Sequence, residues 1–292
     1  GKKSRRAKPK RQVPKRSEDE LFSELAEWAS TNGAIGSGLT VQLQSGEERG
    51  RGLRASKEVV SGETLLALPL GIGIMDDPDE AEGTALEGAT WAMRLAARIL
   101  RERAAGSESV HAPYLATLPR ERDIFPLACA EHLLREIQCA ETEKRVRGMR
   151  QSIADWHKHL LSVDPSSIAG ATLEELRLAV AIVHSRVFKI RAGDGDTVHL
   201  LMPLADLHNH DEHCPNIRWE LAFPHGDEGG AYMQLIATTD ISKGTPAVFH
   251  YGQYPNDHFF LFYGFVPPEN NHETAPLFAN ALEAREWISA AP

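Results

Sequence analysis

A chain of 292 residues with 42% hydrophobic content can bury a sizeable core, as one large domain or two smaller ones. No apolar run approaches the ~20 residues of a membrane span, so no membrane partner is expected, and the three cysteines, Cys129, Cys139 and Cys214, form no C-x-x-C pair and require no disulfide, which suits a reducing compartment. The net charge of −9 conceals two halves of opposite sign: residues 1–16 hold nine Lys or Arg and no acid, so the remainder carries −18, the total less the tail's +9.

That tail contains Pro9 and Pro14 and no hydrophobic period, and is expected to be disordered over residues 1–16. Four roles are open to it: a nuclear address, a contact for nucleic acid or an acidic partner, part of a chloroplast transit peptide, or a solvated extension without a target. The expected location is accordingly nucleus or cytoplasm, with chloroplast the alternative if a transit peptide precedes the fold. The acidic body argues against DNA binding by the fold itself and fits a basic peptide better, through weak long-range steering.

Ser17–Ser30 supplies a cap, two early acids and apolar residues Leu21, Phe22, Leu25 and Trp28 at helical spacing, predicting an amphipathic helix. Leu39–Leu43 alternates as a strand after a turn-rich connection. Arg49–Ala55 has the G-x-G-x-x-A shape of a dinucleotide loop, but that loop needs a helix at once, and Val59-Val60-Ser61-Gly62 followed by the strand Thr64–Leu68 excludes it. Helices are predicted over Leu86–Ala105, Ala130–Leu161 and from Thr172 to about Phe188. Asp194–Thr197 reads as a hairpin turn before a strand over Val198–Pro203. Pro224–Gly230 reads as a polar loop, Tyr232–Ala237 as a strand and Ala247–His250 as a short β segment.

Two runs carry the chemistry. Behind the apolar Leu200–Leu204, the chain crowds Asp206, His208, Asn209, His210, Asp211, His213, Cys214 and Asn216 into eleven positions. Singly, such residues are most often turn and cap formers. In the second run Tyr251-Gly252 is followed by Phe259, Phe260, Phe262, Tyr263 and Phe265, an aromatic wall suited to a cationic ligand.

The combination resembles the SET-domain protein methyltransferases, and within them the branch of the RuBisCO large-subunit methyltransferase. Asn209-His210 with His213-Cys214-Pro215-Asn216 is similar to the N-H-x-C-x-P-N signature stretched by an insertion, and Asp206 matches the P-x-A-D-x-x-N-H form of that branch. His250-Tyr251-Gly252 and Tyr263-Gly264-Phe265 match its second motif, while Pro113-Tyr114 to Leu118-Pro119 and Ser185-Arg186-Val187-Phe188 resemble its P-Y-x-x-x-L-P and S-R-x-F. With Gly50–Pro69, the resemblance spans roughly Glu48 to Pro268.

The resemblance implies an α+β fold: a mainly β core of short strands with a threaded, pseudoknot-like C-terminal segment, and a large helical insert at about 84–188. The domain would cover 17–268, leaving 269–292 as the start of a truncated or minimal substrate-binding region. It implies S-adenosylmethionine as methyl donor, with S-adenosylhomocysteine as product, no metal, a protein substrate and a monomer. Arg49, Gly50, Arg51 and Gly52 would approach the donor through backbone groups; Arg186, Asp206, Asn209, His210 and Tyr251 would complete its site. Tyr251 and Tyr263 are the expected catalytic pair, and Phe188, Tyr263 and Phe265 the expected substrate-binding walls. Phe188 and Tyr263 favour lysine as acceptor; histidine is the alternative within the branch, and a catalytically weak adaptor is a further reading. Pro255-Asn256-Asp257-His258, the Asp211-Glu212-His213 insertion and Thr245 depart from the pattern and point to an uncommon substrate. A zinc protein built on His208, His210, Asp211, His213 and Cys214 is the rival from another class, disfavoured because ligands so close together in one loop cannot all face one ion.

Overall fold

Ser17 opens the first helix, Glu18–Thr31, through a reciprocal cap: its hydroxyl accepts from the Glu20 N–H at 3.2 Å while the Glu20 carboxylate accepts from the Ser17 N–H at 2.7 Å. Phe22, Leu25 and Ala29 form its buried stripe, packed on the short helix Ala112–Thr117. The computed structural model describes residues 16–36, 39–40, 52–191, 197–223, 230–274 and 281–290. The basic tail through residue 15, Arg49–Arg51, the Asp194–Asp196 turn and most of the 224–230 loop lie outside them. Among the described residues no helix is long and apolar enough to cross a membrane.

The expected insert is helical, with boundaries set by local chemistry. The helix predicted from Leu86 begins at Trp91, because the Thr90 hydroxyl accepts from the Met93 N–H at 3.3 Å and so fixes the first turn there. The region read as one helix over 130–161 is two, Glu131–Leu134 and Ala140–Val163. Thr172 and Glu175 form a second capping box for Leu173–Arg186. That helix stops before Phe188, which belongs instead to a strand whose backbone is claimed by pairing with the next one. Trp91–Ala105 and Leu173–Arg186 pack together, and between them Leu95, Ala96, Ile99, Ala179, Ile182 and Val183 are sealed from solvent.

Among the described residues nine short strands follow in chain order: β1 Ile35–Gly36, β2 Leu39–Thr40, β3 Arg54–Ala55, β4 Thr64–Pro69, β5 Ile74–Met75, β6 Val187–Arg191, β7 Thr197–Leu201, β8 Ile217–Ala222 and β9 Tyr232–Ala237. They make three antiparallel sheets, ordered β1-β4-β9-β8, β2-β3 and β5-β7-β6. β7 ends at Leu201, short of the predicted Pro203, and the chain reverses through Leu204 at φ +69°, a strained conformation for a branched side chain. The reversal leads into the turn Ala205–Leu207 and aims Asp206 inward.

The 244–249 segment forms bridges rather than the ladder expected of a strand. It lies between two other pieces of chain. Gly244 and Ala247 donate their N–H groups to Ala55 and Leu53 carbonyls at 2.7 and 2.9 Å, while Phe249 donates to the Asn209 carbonyl at 2.9 Å and accepts from the Asp211 N–H at 2.9 Å. The Asn216 side chain completes the clasp, donating to the Pro246 carbonyl and accepting from the Val248 N–H, each at 2.8 Å. The two motif-bearing loops are thereby held side by side.

Candidate functional site

Each loop contributes a buried polar anchor. Arg186, at the last turn of its helix, donates through Nη1 to the Asp206 backbone oxygen at 3.0 Å and to Asp206 Oδ2 at 3.2 Å. Tyr114 donates its hydroxyl to the same Oδ2 at 2.7 Å. The Asp206 side chain is fully buried, so this pair is held by hydrogen bonds from two elements distant in sequence. Burial alone would depress Arg186, but the neighbouring Asp206 carboxylate holds its pKa above the ordinary value. Burial and then the same carboxylate push Tyr114 well above its own, so it stays a donor. Arg186 Nε has no hydrogen-bond partner among the described residues, an orphaned donor that favours an anionic group nearby.

Tyr251 is fixed from both ends. Its N–H donates to His210 Nδ1 at 3.1 Å, and its hydroxyl donates to the His208 carbonyl at 2.6 Å. Its ring stacks on Tyr263 with centroids 5.0 Å apart. Burial raises the Tyr251 phenol well above its usual range despite nearby Arg186, and raises Tyr263 to about 12, so both remain protonated at neutral pH. Gly252 follows with φ +138°, and a Cβ there would come within 2.4 Å of the Tyr254 ring.

Two cavities meet at this pair. The larger, about 920 Å³, runs from Leu21 and Pro119 past Arg186 and Asn209 to Tyr251, Tyr263 and Phe265. The smaller, about 350 Å³, has aromatic walls of Trp91, Phe188, Trp219, Phe249, Tyr254 and Phe262. Ser185, Arg186, Asp206, Tyr251 and Tyr263 line both. Phe188 meets Trp219 edge-on at 5.9 Å and Phe249 at 6.2 Å. His184 and His208 also line the smaller cavity, and burial pushes both down to about 4, so they are neutral.

Most predicted site residues therefore converge. Phe265, expected among the substrate walls, lines the larger cavity and meets the rings of Tyr251 and Tyr263 at 6.5 and 6.3 Å. Asp206 acts through Arg186 and Tyr114, its carboxylate being sealed behind them. His210, expected in the donor site, lends its ring to the Tyr251 N–H and packs on Phe259. Gly52 faces Asn209 so closely that a Cβ would lie 2.6 Å from Asn209 Nδ2. Arg49, Gly50 and Arg51 lie outside the described residues.

The consecutive ligand set of the rival zinc reading does not converge. His208 Nδ1 faces the Ala205 carbonyl at 3.0 Å, Asp211 Oδ1 caps the His213 and Cys214 N–H groups, and His213 lies 3.5 Å from Glu269. Sequence reasoning missed the roles of Trp219, His184 and Tyr254 as cavity walls. Tyr114 was visible as part of P-Y-x-x-x-L-P, though its bond to Asp206 was not.

No protein-family model matches the chain. Over 273 residues it is 26% identical to the actin-histidine N-methyltransferase of Gallus gallus, and over 272 residues 27% identical to the Homo sapiens protein of the same name. Each match covers 87% of this chain and 44% of the relative, so the chain spans less than half the length of the curated relatives it matches. Among solved structures, the SET domain of LSMT bound to lysine and AdoHcy superposes with a TM-score of 0.72 at 19% identity, covering 87% of this chain and 59% of that one. Rubisco LSMT bound to AdoMet gives 0.66 at 19% identity, covering 85% and 57%. The fold is an α+β SET-domain fold, and the likeness read from the two C-terminal motifs extends to three dimensions.

Proposed function

We propose that this chain is an S-adenosylmethionine-dependent protein N-methyltransferase with lysine as acceptor. The observation that carries the reading is the meeting of a larger, polar-floored cavity with a smaller aromatic one at Tyr251 and Tyr263. Methyl transfer needs donor and acceptor to face each other in line through one narrow opening.

The larger cavity fits the donor. Its volume is in the range of cofactor sites, the unpartnered Arg186 Nε suits a carboxylate, and the bare Gly52 lets Asn209 pack where a Cβ would clash with it, holding that side chain at the cavity. Arg186 and Asn209 would hold the amino-acid end, with Asp206 fixing Arg186 from behind. When bound, S-adenosylmethionine supplies a methyl group already activated on a sulfonium. The protein's task is then orientation and exclusion of water. With its proton committed to the His208 carbonyl, the Tyr251 oxygen offers only lone pairs to the junction. It orients by accepting hydrogen bonds, and a phenol held protonated cannot serve as the base. Trp219, Phe188 and Phe249 strip water from the acceptor nitrogen.

A lysine amine with pKa ~10.4 is neutral in roughly one molecule in two thousand at pH 7. Aromatic walls favour that neutral form by desolvation, and Phe188 presents no polar atom to an imidazole. The second reading is a histidine acceptor, supported by the names of the relatives at 26 and 27% identity. The readings separate by pH: turnover on lysine rises steadily toward pH 9, whereas turnover on histidine levels off above about pH 7, where imidazole is already neutral. The deciding experiment incubates the chain with methyl-labelled S-adenosylmethionine and a lysate of its own cells, then locates the label by mass spectrometry. Label on a lysine supports the proposal; label on a histidine replaces the acceptor. No transfer together with no calorimetric binding at millimolar donor overturns the enzymatic reading in favour of an adaptor.

A further inference from the structure

The insertion that separates His210 from Cys214 buries the Glu212 side chain. It is only 5% exposed, and a buried carboxylate needs partners. Three imidazoles surround it. His250 Nε2 lies 3.3 Å and His210 Nε2 3.4 Å from Oε2, while His272 Nε2 lies 3.7 Å from Oε1. These separations exceed the 2.7–3.2 Å of ordinary N–H···O bonds. Glu212 Oε2 and His210 Nε2 make no hydrogen bond among the described residues.

Such spacing has a different natural occupant. A tetrahedral ion with bonds of about 2.0–2.1 Å holds its ligand atoms roughly 3.3 Å apart. Glu212, His250 and His272 each place one ligand atom within 4.8 Å of the others. We propose that Glu212, His250 and His272 bind a borderline divalent cation, with zinc the best match to two imidazoles and one carboxylate. A fourth position is left to water.

His210 is a supporting residue rather than a fourth ligand. Its Nδ1 accepts the Tyr251 N–H at 3.1 Å, so the neutral ring carries its proton on Nε2 and points it at Glu212. His250 accepts the Gly252 N–H on Nδ1 at 3.2 Å, so before metal binding its proton also sits on Nε2. An incoming ion takes the Nε2 lone pair, the proton moves to Nδ1, and the Gly252 contact is given up. His272 and Glu212 lose no described hydrogen bond.

The three ligands come from the insertion, from the residue before Tyr251 and from the segment after the aromatic run. A bound ion would therefore tie the Asn209 loop and the 270–274 segment to the Tyr251 backbone. It would stand in the wall of the smaller cavity, which His250 lines. This site is independent of the reaction proposed above and would exist in a chain that transfers no methyl group.

The test uses the full chain without an affinity tag, freed of metal by a chelator and titrated with zinc against a chromogenic competitor. Expected is one zinc per chain, with Glu212→Gln and His272→Ala each weakening binding by ~100-fold or more, at or beyond the losses seen for supporting residues. His213→Ala, on an exposed ring beside Glu269, leaves the affinity unchanged. Cobalt in place of zinc gives the visible absorption of a four-coordinate ion. Melting curves in chelator show that the variants fold, and added zinc raises the midpoint of the unmodified chain and of His213→Ala but not of the two ligand variants. Wild-type affinity no better than that of Glu212→Gln, or loss of binding on His213→Ala, overturns the proposal. Should Glu212→Gln fail to fold, His272→Ala decides by itself.

Discussion

The two cavities share one wall and differ in the walls they do not share. On the larger side the Arg186–Asp206 pair, bonded by Tyr114, sets position through charge and hydrogen bonds within a sealed layer. On the smaller side, which the same pair also borders, Trp91, Phe188, Trp219 and neutral histidines add walls that set position through shape. The difference matches what each side must recognise under the proposed function: a charged amino-acid group on one, a nitrogen that has to shed its proton on the other.

The sharpest way to break the contrast is Asp206→Ala, which strands Arg186 as an uncompensated buried charge. It should lower stability by about 3–5 kcal/mol in urea denaturation and abolish donor binding. A midpoint equal to that of the unmodified chain would show that charge does not hold the larger side. Acid should attack the smaller side instead. His184 and His208 have folded-state pKa values depressed to about 4 from an ordinary 6.5. The unfolded chain therefore takes up their protons first as pH falls. Their contribution is complete above about pH 6.5 and declines through the window down to pH 4, by about 3 kcal/mol each. Stability flat across that window, measured by denaturant titration, would contradict the assignment.

At the shared wall, Tyr251→Phe removes the hydroxyl seated on the His208 carbonyl. Turnover should fall by ~10²-fold or more with the fold intact, and full activity would remove Tyr251 from the reaction. Smallest is Tyr114→Phe, which deletes one hydrogen bond to Asp206 and should weaken donor binding by about 1.5 kcal/mol, roughly tenfold, with turnover at saturation preserved. A Tyr114→Phe effect on turnover alone would place Tyr114 nearer the reaction than the structure does.

Caps and periodicity made the helices legible: Ser17 and Thr172 are each followed by a residue whose N–H they accept, and the apolar stripes run at 3.6 residues, whereas periodicity alone passes over the Thr90 cap and begins its helix five residues early. The errors fell where tertiary pairing outweighed local pattern. Phe188 extends an apolar helical run, yet pairing with Leu200 draws it into β6. Glu212 looked like part of a polar insertion because its partners His250 and His272 lie far along the chain.

By itself the sequence determined which residue types the chemistry has available: two motif-bearing loops, an arginine at a helix end, a dense aromatic run and the caps that fix the helices. Tertiary structure decided which of them face each other. The 244–249 segment, held between Leu53–Ala55 and Asn209–Asn216, sets Tyr251 beside Asn209 and assigns each aromatic to a side. Backbone hydrogen bonds between remote segments carry no local signature, since every residue but proline offers the same N–H and C=O. Only the folded chain selects the pairs that close.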